Sequence, residues 1–320
     1  MGASIKLLAT TVVLCAGGIE NARILLNSGE PDRPALGNDR DQVGRYLMDH
    51  LRGPTAFFSV AGSAALRRRF GRYNVRGRFF RAGLRLSPAI QRRERLLNCA
   101  GWLGEVLAPD DPWDSLRRFA ARKPSLPRDI FSVARNVPLL VHGAVDYFGS
   151  RNGLPRKLQD LTLDCMCEQM PDADSRVTLS QRRDRFGMRL PKVDWRSHPD
   201  EARTMHRMAE LTSAELARIG FPRPVLADWV RDRAPIPQSF VDVAHPTATT
   251  RMSCDPKKGV LDVDCQVHGV AGLYVSGSSV FPTAGHCNPT QMIVAIAIRL
   301  ADHLKNRRHR PLLVEMSHAG

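Results

Sequence analysis

Thr10 to Gly29 reads TTVVLCAGGIENARILLNSG, and its character changes once along the way. Thr10–Ala16 is a short, β-branched, unbroken apolar run, the pattern of a strand buried on both faces. Gly17-Gly18 supplies a turn. Ile19 to Asn27 then sets Ile19, Ala22, Leu25 and Leu26 at helical spacing, and Gly29 stands where a left-handed C-cap would end the helix. Strand, glycine turn and helix in that order form the building piece of a parallel α/β sheet. The unit alone does not specify nucleotide binding.

The C-terminal third repeats this logic. Gly272-Leu273-Tyr274-Val275 reads as a strand, Ser276 to Ser279 as a polar turn, and Pro289 to Lys305 as a helix. That helix has Asn288 at the expected N-cap, Pro289 at N1 and Gln291 at N3, a capping-box arrangement. Between the ends, Ser175–Leu179 alternates like a strand, Asp184–Gly187 offers a turn, and Pro199–Ile219 reads as a helix. From Gly53 to Asp160 the text is arginine-rich, and Pro109, Pro112, Pro124, Pro127 and Pro138 break any long helix. Val60, Phe79-Phe80, Trp102 and Val106 there suit short strands and packed loops.

The 320 residues carry 47 Lys+Arg against 32 Asp+Glu, a net charge of +15. Between Leu51 and Asp160 there are 21 Lys/Arg and 8 Asp/Glu, so +13 of that surplus sits in one third of the chain. Aromatic residues do not interleave with these arginines as a stacking platform needs, so no specific nucleic-acid partner is expected. An apolar share of 43% excludes wholesale disorder. Seven thinly spread cysteines make no disulfide framework and suit reduced thiols, which with the features below points to a cytoplasmic protein. The first eighteen residues imitate a secretory signal but lack a small-x-small cleavage site, and Leu14 before Cys15 spoils a lipoprotein signal. No run approaches the roughly 20 apolar residues of a spanning helix, so no membrane span is expected.

The most informative block is HPTATTRM, His245 to Met252, followed by VHGVAGLYVSGSSVFPTAGHCNPTQMIVAIAIRLADHL. Here the sequence resembles the C-terminal portion of the glucose–methanol–choline (GMC) family of flavin-dependent oxidoreductases. AGGIENARILLNSG (Ala16–Gly29) is similar to the family's second signature, VGRYLMDH (Val43–His50) follows at a familiar distance, and EQMPDADSRVTLSQRRDRFG (Glu168–Gly187) looks like the first strands of its substrate-domain sheet. Four ordered motifs are far more specific than one. Gly53 to Asp160 has no counterpart among them.

The resemblance implies an α/β plus α+β fold: an incomplete Rossmann-like FAD domain from residues 1–50 and 255–310, a substrate-binding domain over 51–254 on a mainly antiparallel sheet with helices, and a tail at 311–320. It implies FAD as cofactor and oxidation of a CH–OH group in an alcohol, sugar or polyol, with hydride passing to the flavin N5. The base it implies is His245, histidine being the residue type most often suited to that task. Its partner falls on Asn288, which also opens a helix whose positive end suits the flavin's N1/C2 edge. Gly277 and Ser278 match the turn near the ribityl and phosphate groups, and Pro289 and Thr290 complete the cofactor-binding set. His286 is the first substitute for His245, and His268 reads as a loop residue. The electron acceptor stays open between oxygen, a quinone and a cytochrome.

Two positions depart mildly from the family, Ala248 and Ser253, where glycine is usual. One absence is larger: no G-x-G-x-x-G occurs in the chain, although the family cradles the FAD pyrophosphate with it. A truncated or split protein is therefore expected, with a missing N-terminal FAD-binding segment as partner and exposed faces on Thr10–Ala16 and Leu273–Val275. The alternative is a catalytically silent fragment that does not hold FAD. A zinc site from Cys165-x-Cys167 or Cys254…Cys265-x-x-His268 has the wrong spacing for four-ligand knuckles, so no metal is expected. A serine hydrolase lacks its G-x-S-x-G elbow.

Overall fold

A computed structural model of the chain describes residues 8–30, 33–76, 78–121, 126–149, 156–240 and 242–308; the expected tail at 311–320 lies outside them. In chain order the elements are β1 (Val12–Leu14), α1 (Gly17–Asn27), β2 (Leu51–Phe58), α2 (Ala64–Phe70), β3 (Arg72–Val75), β4 (Arg78–Arg81), β5 (Leu84–Arg85), α3 (Pro88–Glu94) and β6 (Cys99–Leu107). Then follow α4 (Pro112–Ala120), α5 (Leu126–Arg135), α6 (Val137–Gly149), β7 (Leu158–Cys167), β8 (Arg176–Arg183), β9 (Arg189–Asp194), α7 (Pro199–Arg218), β10 (Val225–Leu226), α8 (Asp228–Arg231), β11 (Leu273–Val275) and α9 (Thr290–Arg308). The class is mixed α and β with mostly antiparallel sheets. No helix among the described residues is long and apolar enough to cross a membrane.

The chain divides into two compact units. The first comprises Met1–His50, Glu168–Ser197 and Asp242–Gly320; the second comprises Leu51–Cys167 and His198–Val241.

The second unit is built on a five-stranded antiparallel sheet in the order β10-β2-β7-β6-β5. Leu161, Leu163, Cys165 and Cys167 alternate along β7 and are buried with Met205, Met208, Ala209 and Leu216 of α7, the period-2 and period-3.6 faces meeting in one core. Helix α7 begins at a capping box in which the His198 ring accepts the Asp200 N–H and Glu201 returns a bond to the His198 N–H. Several acids of the arginine-rich segment are engaged in ion pairs, which leaves its net surplus unchanged. Arg118 pairs with the buried Asp129, Arg156 with Asp111 and Asp114, and Arg93 and Arg207 with Glu94. The Glu94 carboxyl is held down to about 2 by those two guanidinium groups, Arg207 first.

The first unit holds the strand–turn–helix piece. Strand β1 runs parallel to β11 with Val12 opposite Leu273 and Leu14 opposite Val275. Helix α1 packs Ala22 and Leu25 into a core with Leu273–Val275, Val260, Val267, and Ile296 and Leu300 of α9. The expected burial of Thr10–Ala16 on both faces is corrected: Val12 and Val13 are 44% and 37% exposed, because among the described residues β1 pairs with β11 alone. Leu273–Val275, expected to be exposed, are buried, since β1 flanks them on one side and Gln266 bridges Tyr274 on the other. The C-cap of α1 is Ser28 in right-handed geometry, its N–H and hydroxyl both turned to the Leu25 carbonyl, so Gly29 has no capping role.

Two polar residues of α1 tie the unit together. Asn21, fully buried, accepts the Ala16 N–H at 2.7 Å and donates to the Ser276 carbonyl at 3.1 Å and the Ser279 hydroxyl at 2.9 Å. Arg23 donates to the Arg189 carbonyl at 2.8 Å and pairs with Asp184 at 2.6 Å. It thereby grips the β8–β9 hairpin, whose turn Asp184 itself organises by accepting the Phe186 and Met188 N–H groups.

Gly18 is the tightest point of the first unit. A Cβ there would lie 2.0 Å from the Pro246 carbonyl oxygen. Gly18→Ala should cost about 1–3 kcal/mol by forcing the two chain segments apart, read as a lower midpoint in chemical denaturation. Ala248, by contrast, occupies a left-handed φ of +70° while fully buried. Glycine takes that conformation freely and alanine does not. Ala248→Gly should therefore raise stability by up to about 1 kcal/mol, the strain relieved exceeding the entropy gained by the unfolded chain.

Candidate active site

In open α/β sheets, ligands gather outside the carboxyl ends of parallel strands. Here those ends lead into Ala16–Gly18 after β1 and Ser276–Gly277 after β11, held together by the Ser276 N–H to Leu14 carbonyl bond at 2.8 Å. The His245–Met252 segment is sewn along the same turn. Ala248, Thr250 and Met252 donate their N–H groups to the carbonyls of Ser278, Ser279 and Val280. The Ser278 hydroxyl donates to the Pro246 carbonyl at 2.7 Å, and the Thr249 hydroxyl to the Gly18 carbonyl. Within the segment the Arg251 N–H donates to the Ala248 carbonyl at 2.9 Å, closing a turn over Thr249 and Thr250.

On its other side this segment meets the end of VGRYLMDH. Met48 and Thr247 exchange backbone bonds of 3.3 and 2.8 Å as an isolated antiparallel bridge. One residue further, the buried Asp49 carboxylate accepts the His50 N–H at 2.6 Å through Oδ1 and the His245 N–H at 2.9 Å through Oδ2. The Asp49 N–H is itself donated to Gln169 Oε1 at 2.7 Å, an oxygen that also accepts the Trp195 indole N–H at 2.6 Å. With both chains pinned, the imidazoles of His50 and His245 meet edge to face, Nδ1 to Nδ1 at 3.2 Å. His50 Nε2 lies 3.0 Å from the Gly285 carbonyl, and the Gly285 N–H donates to Glu168 at 3.0 Å.

The electrostatics follow from burial. Loss of water pushes the Asp49 carboxyl above its ordinary 3.8, opposed by the two amide donors. The same loss pulls His50 below its ordinary 6.5, opposed by the neighbouring Asp49 charge. His50 is fully buried, and His245 is half-buried.

The expected site residues fall into two groups. His245, Gly277 and Ser278 come together through the bonds above. Gly277 has φ +115°, and the space where its Cβ would stand holds nothing nearer than 3.9 Å. Asn288 and Thr290 are exposed and Pro289 is buried. The Pro289 carbonyl accepts the Ile293 N–H at 2.9 Å, so the N-cap slot falls on Pro289, one residue later than expected. Asn288 makes no hydrogen bond to His245. His268 donates from Nε2 to the Ser253 carbonyl at 3.0 Å.

Asp49, His50, Glu168 and Gln169 were not among the expected site residues, although both motifs that contain them were. An acid beside a histidine at the end of VGRYLMDH is the signal that marks them in the sequence. Asp49, His50 and His245 also offer ligand-type atoms within 4.8 Å of one another, the metal-type grouping found among the described residues. The cysteines form none there: Cys165 and Cys167 are buried in β7, Cys254 is exposed, and Cys265 is buried.

Residues 171–297 match the family model described as GMC oxidoreductase. The chain is 32% identical over 144 residues to C-glycoside 3-oxidase of Microbacterium trichothecenolyticum, covering 44% of this chain and 26% of that protein. It is 25% identical over 322 residues to 2-methyl-1,2-propanediol dehydrogenase of Mycolicibacterium austroafricanum, covering 96% of this chain and 50% of that one. Thus the chain spans about half the length of a curated relative that it matches almost throughout. Among solved structures, formate oxidase of Aspergillus oryzae RIB40 superposes with a TM-score of 0.49 at 19% identity, over 93% of this chain and 54% of that chain.

His50 gives the site a pH signature. Its pKa is lowered in the folded state, so below pH 6.5 the unfolded chain takes up a proton that the folded chain refuses. Its contribution to stability is present above that pH and is lost as pH falls toward the folded value. The Asp49 shift has the opposite sense and acts above pH 3.8, where the raised carboxyl loses stability as pH rises through its folded value. Denaturation midpoints of the native chain and of His50→Gln, compared between pH 7.5 and 5.5, should diverge. The native protein should lose up to about 1.4 kcal/mol per pH unit more than the variant.

Proposed function

The chain belongs to the GMC oxidoreductases, whose family model its residues 171–297 match, and from that premise we propose that it serves the FAD-dependent oxidation of a CH–OH group with His245 as base. The observation that carries this reading is the histidine pair over Asp49: a ring held by its own backbone and by a neighbouring imidazole, beside the carboxyl ends of two parallel strands. The substrate class is an alcohol, sugar or polyol, in keeping with the names of the C-glycoside oxidase and the propanediol dehydrogenase above.

When bound, FAD supplies the hydride acceptor. The chain's own residues do the rest. His245 takes the hydroxyl proton of the substrate, and Asn288, exposed ahead of α9, orients the alcohol oxygen by its amide. The first-turn N–H groups of α9 carry no helical acceptor and favour negative charge at the flavin's pyrimidine edge. Gly277, at φ +115°, takes a backbone conformation that suits glycine and with Ser278, Pro289 and Thr290 would hold the ribityl part of the cofactor. The residues therefore fit the ring and ribityl parts of FAD. The pyrophosphate part calls for a glycine-rich cradle that this sequence does not contain. In this reading β1 and β11 belong to a Rossmann-like sheet, residues 51–254 contribute the substrate-binding domain, and the cradle comes from a segment outside these 320 residues.

A second reading, a catalytically silent fragment, is favoured by that missing cradle and by the exposed Val12 and Val13. One experiment separates the two. The purified chain is titrated with FAD, its visible spectrum is recorded, and polyol oxidation is assayed. Under the first reading it turns yellow with a protein-perturbed flavin band, and His245→Ala keeps the band while turnover drops by about 10²–10⁴-fold. A chain that stays colourless and inert at saturating FAD leaves the silent fragment as the answer.

A further inference from the structure

The Gly285 carbonyl can only accept, so at 3.0 Å it requires a proton on His50 Nε2. Burial keeps His50 neutral near pH 7, which makes its Nδ1 a lone pair. That lone pair faces His245 Nδ1 at 3.2 Å. Two lone pairs at this distance repel, whereas one proton between them makes a hydrogen bond. The proton has to come from His245, because His50 has none left to give on that side. The His245 backbone N–H is held in turn by Asp49 at 2.9 Å.

We propose that His50 is a positioning residue that holds His245 in its Nδ1–H tautomer, leaving His245 Nε2 as the proton-accepting atom. The groups that face the pair bear this out. Asp49 spends its two carboxylate oxygens on the amides of His50 and His245 and so fixes the backbones rather than either ring. Asp242 acts on Asp49 through charge alone, and Glu168 accepts the Gly285 N–H, aligning the carbonyl that sets the His50 tautomer. The chain of cause is thus Gly285 carbonyl to His50 Nε2, His50 Nδ1 to His245 Nδ1, and His245 Nε2 left basic. Isolated imidazole side chains favour the Nε2–H form, which would put the lone pair on the wrong atom; the His50 contact reverses that preference. This deepens the reading of His245 as base and takes its chemical purpose from it, while the tautomer itself is decided by geometry.

The test reads the tautomer directly, without cofactor or turnover. The full chain, labelled with nitrogen-15, is examined above pH 7 by long-range proton–nitrogen correlation of the histidine rings, with His245→Asn giving the assignment. His245 should show a protonated-type Nδ1 and an unprotonated-type Nε2, and His50 the reverse. In His50→Phe, His245 should move to a majority of the Nε2–H form; in His50→Gln, whose amide oxygen can accept the same proton, it should stay as in the native chain. A native His245 carrying its proton on Nε2 overturns the proposal, including the case of two Nε2–H rings that a shared cation would require. An unchanged His245 tautomer in folded His50→Phe overturns the role of His50. If a variant does not fold, the native spectrum alone still decides the tautomer. A His245 found as Nδ1–H in a chain without flavin activity would leave this inference standing and remove only the base role.

Discussion

The Asp49 carboxylate is the constraint on which the first unit's chemistry depends. A buried carboxylate is expensive unless its oxygens are bonded. Here both are, by amides that lie 195 residues apart in the chain. Satisfying one acid therefore fixes the end of VGRYLMDH against the start of HPTATTRM, and the two histidines have no choice but to meet. Gln169 completes the anchor by accepting from Asp49 and Trp195 with the same oxygen. Burial raises the Asp49 carboxyl's pKa, and the two amide donors oppose that rise.

Around that anchor, close backbone approach matters more than side-chain bulk. Gly18 sits under the Pro246 carbonyl, and Gly44, at φ +87°, under the Val177 carbonyl. Asn21 serves as a hub that joins the Ala16 N–H, the Ser276 carbonyl and the Ser279 hydroxyl. The stretch Glu-Asn-Ala-Arg of α1 is thereby explained residue by residue: Asn21 binds the turn after β11, Ala22 enters the core, and Arg23 grips the β8–β9 hairpin. A motif that reads as a family signature is, physically, a three-way clasp.

The sequence was a good guide where one local pattern governs. The helix at Pro199–Arg218, the strand at Leu273–Val275 and the Asp184–Gly187 turn were all legible from periodicity and turn chemistry. It misled where a neighbour decides. Strand β1 has the composition of a doubly covered strand and yet is half bare, because cover comes from other elements and not from its own residues. Ser28 displaced Gly29 as a cap because a hydroxyl within reach of the Leu25 carbonyl removed the need for a left-handed residue. The acids Asp129, Asp111, Asp114 and Glu94 found arginine partners up to 113 residues away that no charge run reveals.

By itself the sequence determined the class of elements and the resemblance to the GMC oxidoreductases that singles out His245 as the proposed base, since those rest on residue types at short fixed spacings that survive without knowledge of contacts. Tertiary structure alone decided that Asp49 and His50 belong beside His245, that the two imidazoles meet through Nδ1, and that Ala248 stands in a glycine's conformation. Those depend on distances of about 3 Å between segments far apart in the chain, and hydrogen-bond geometry of that kind is not encoded in any single window of residues.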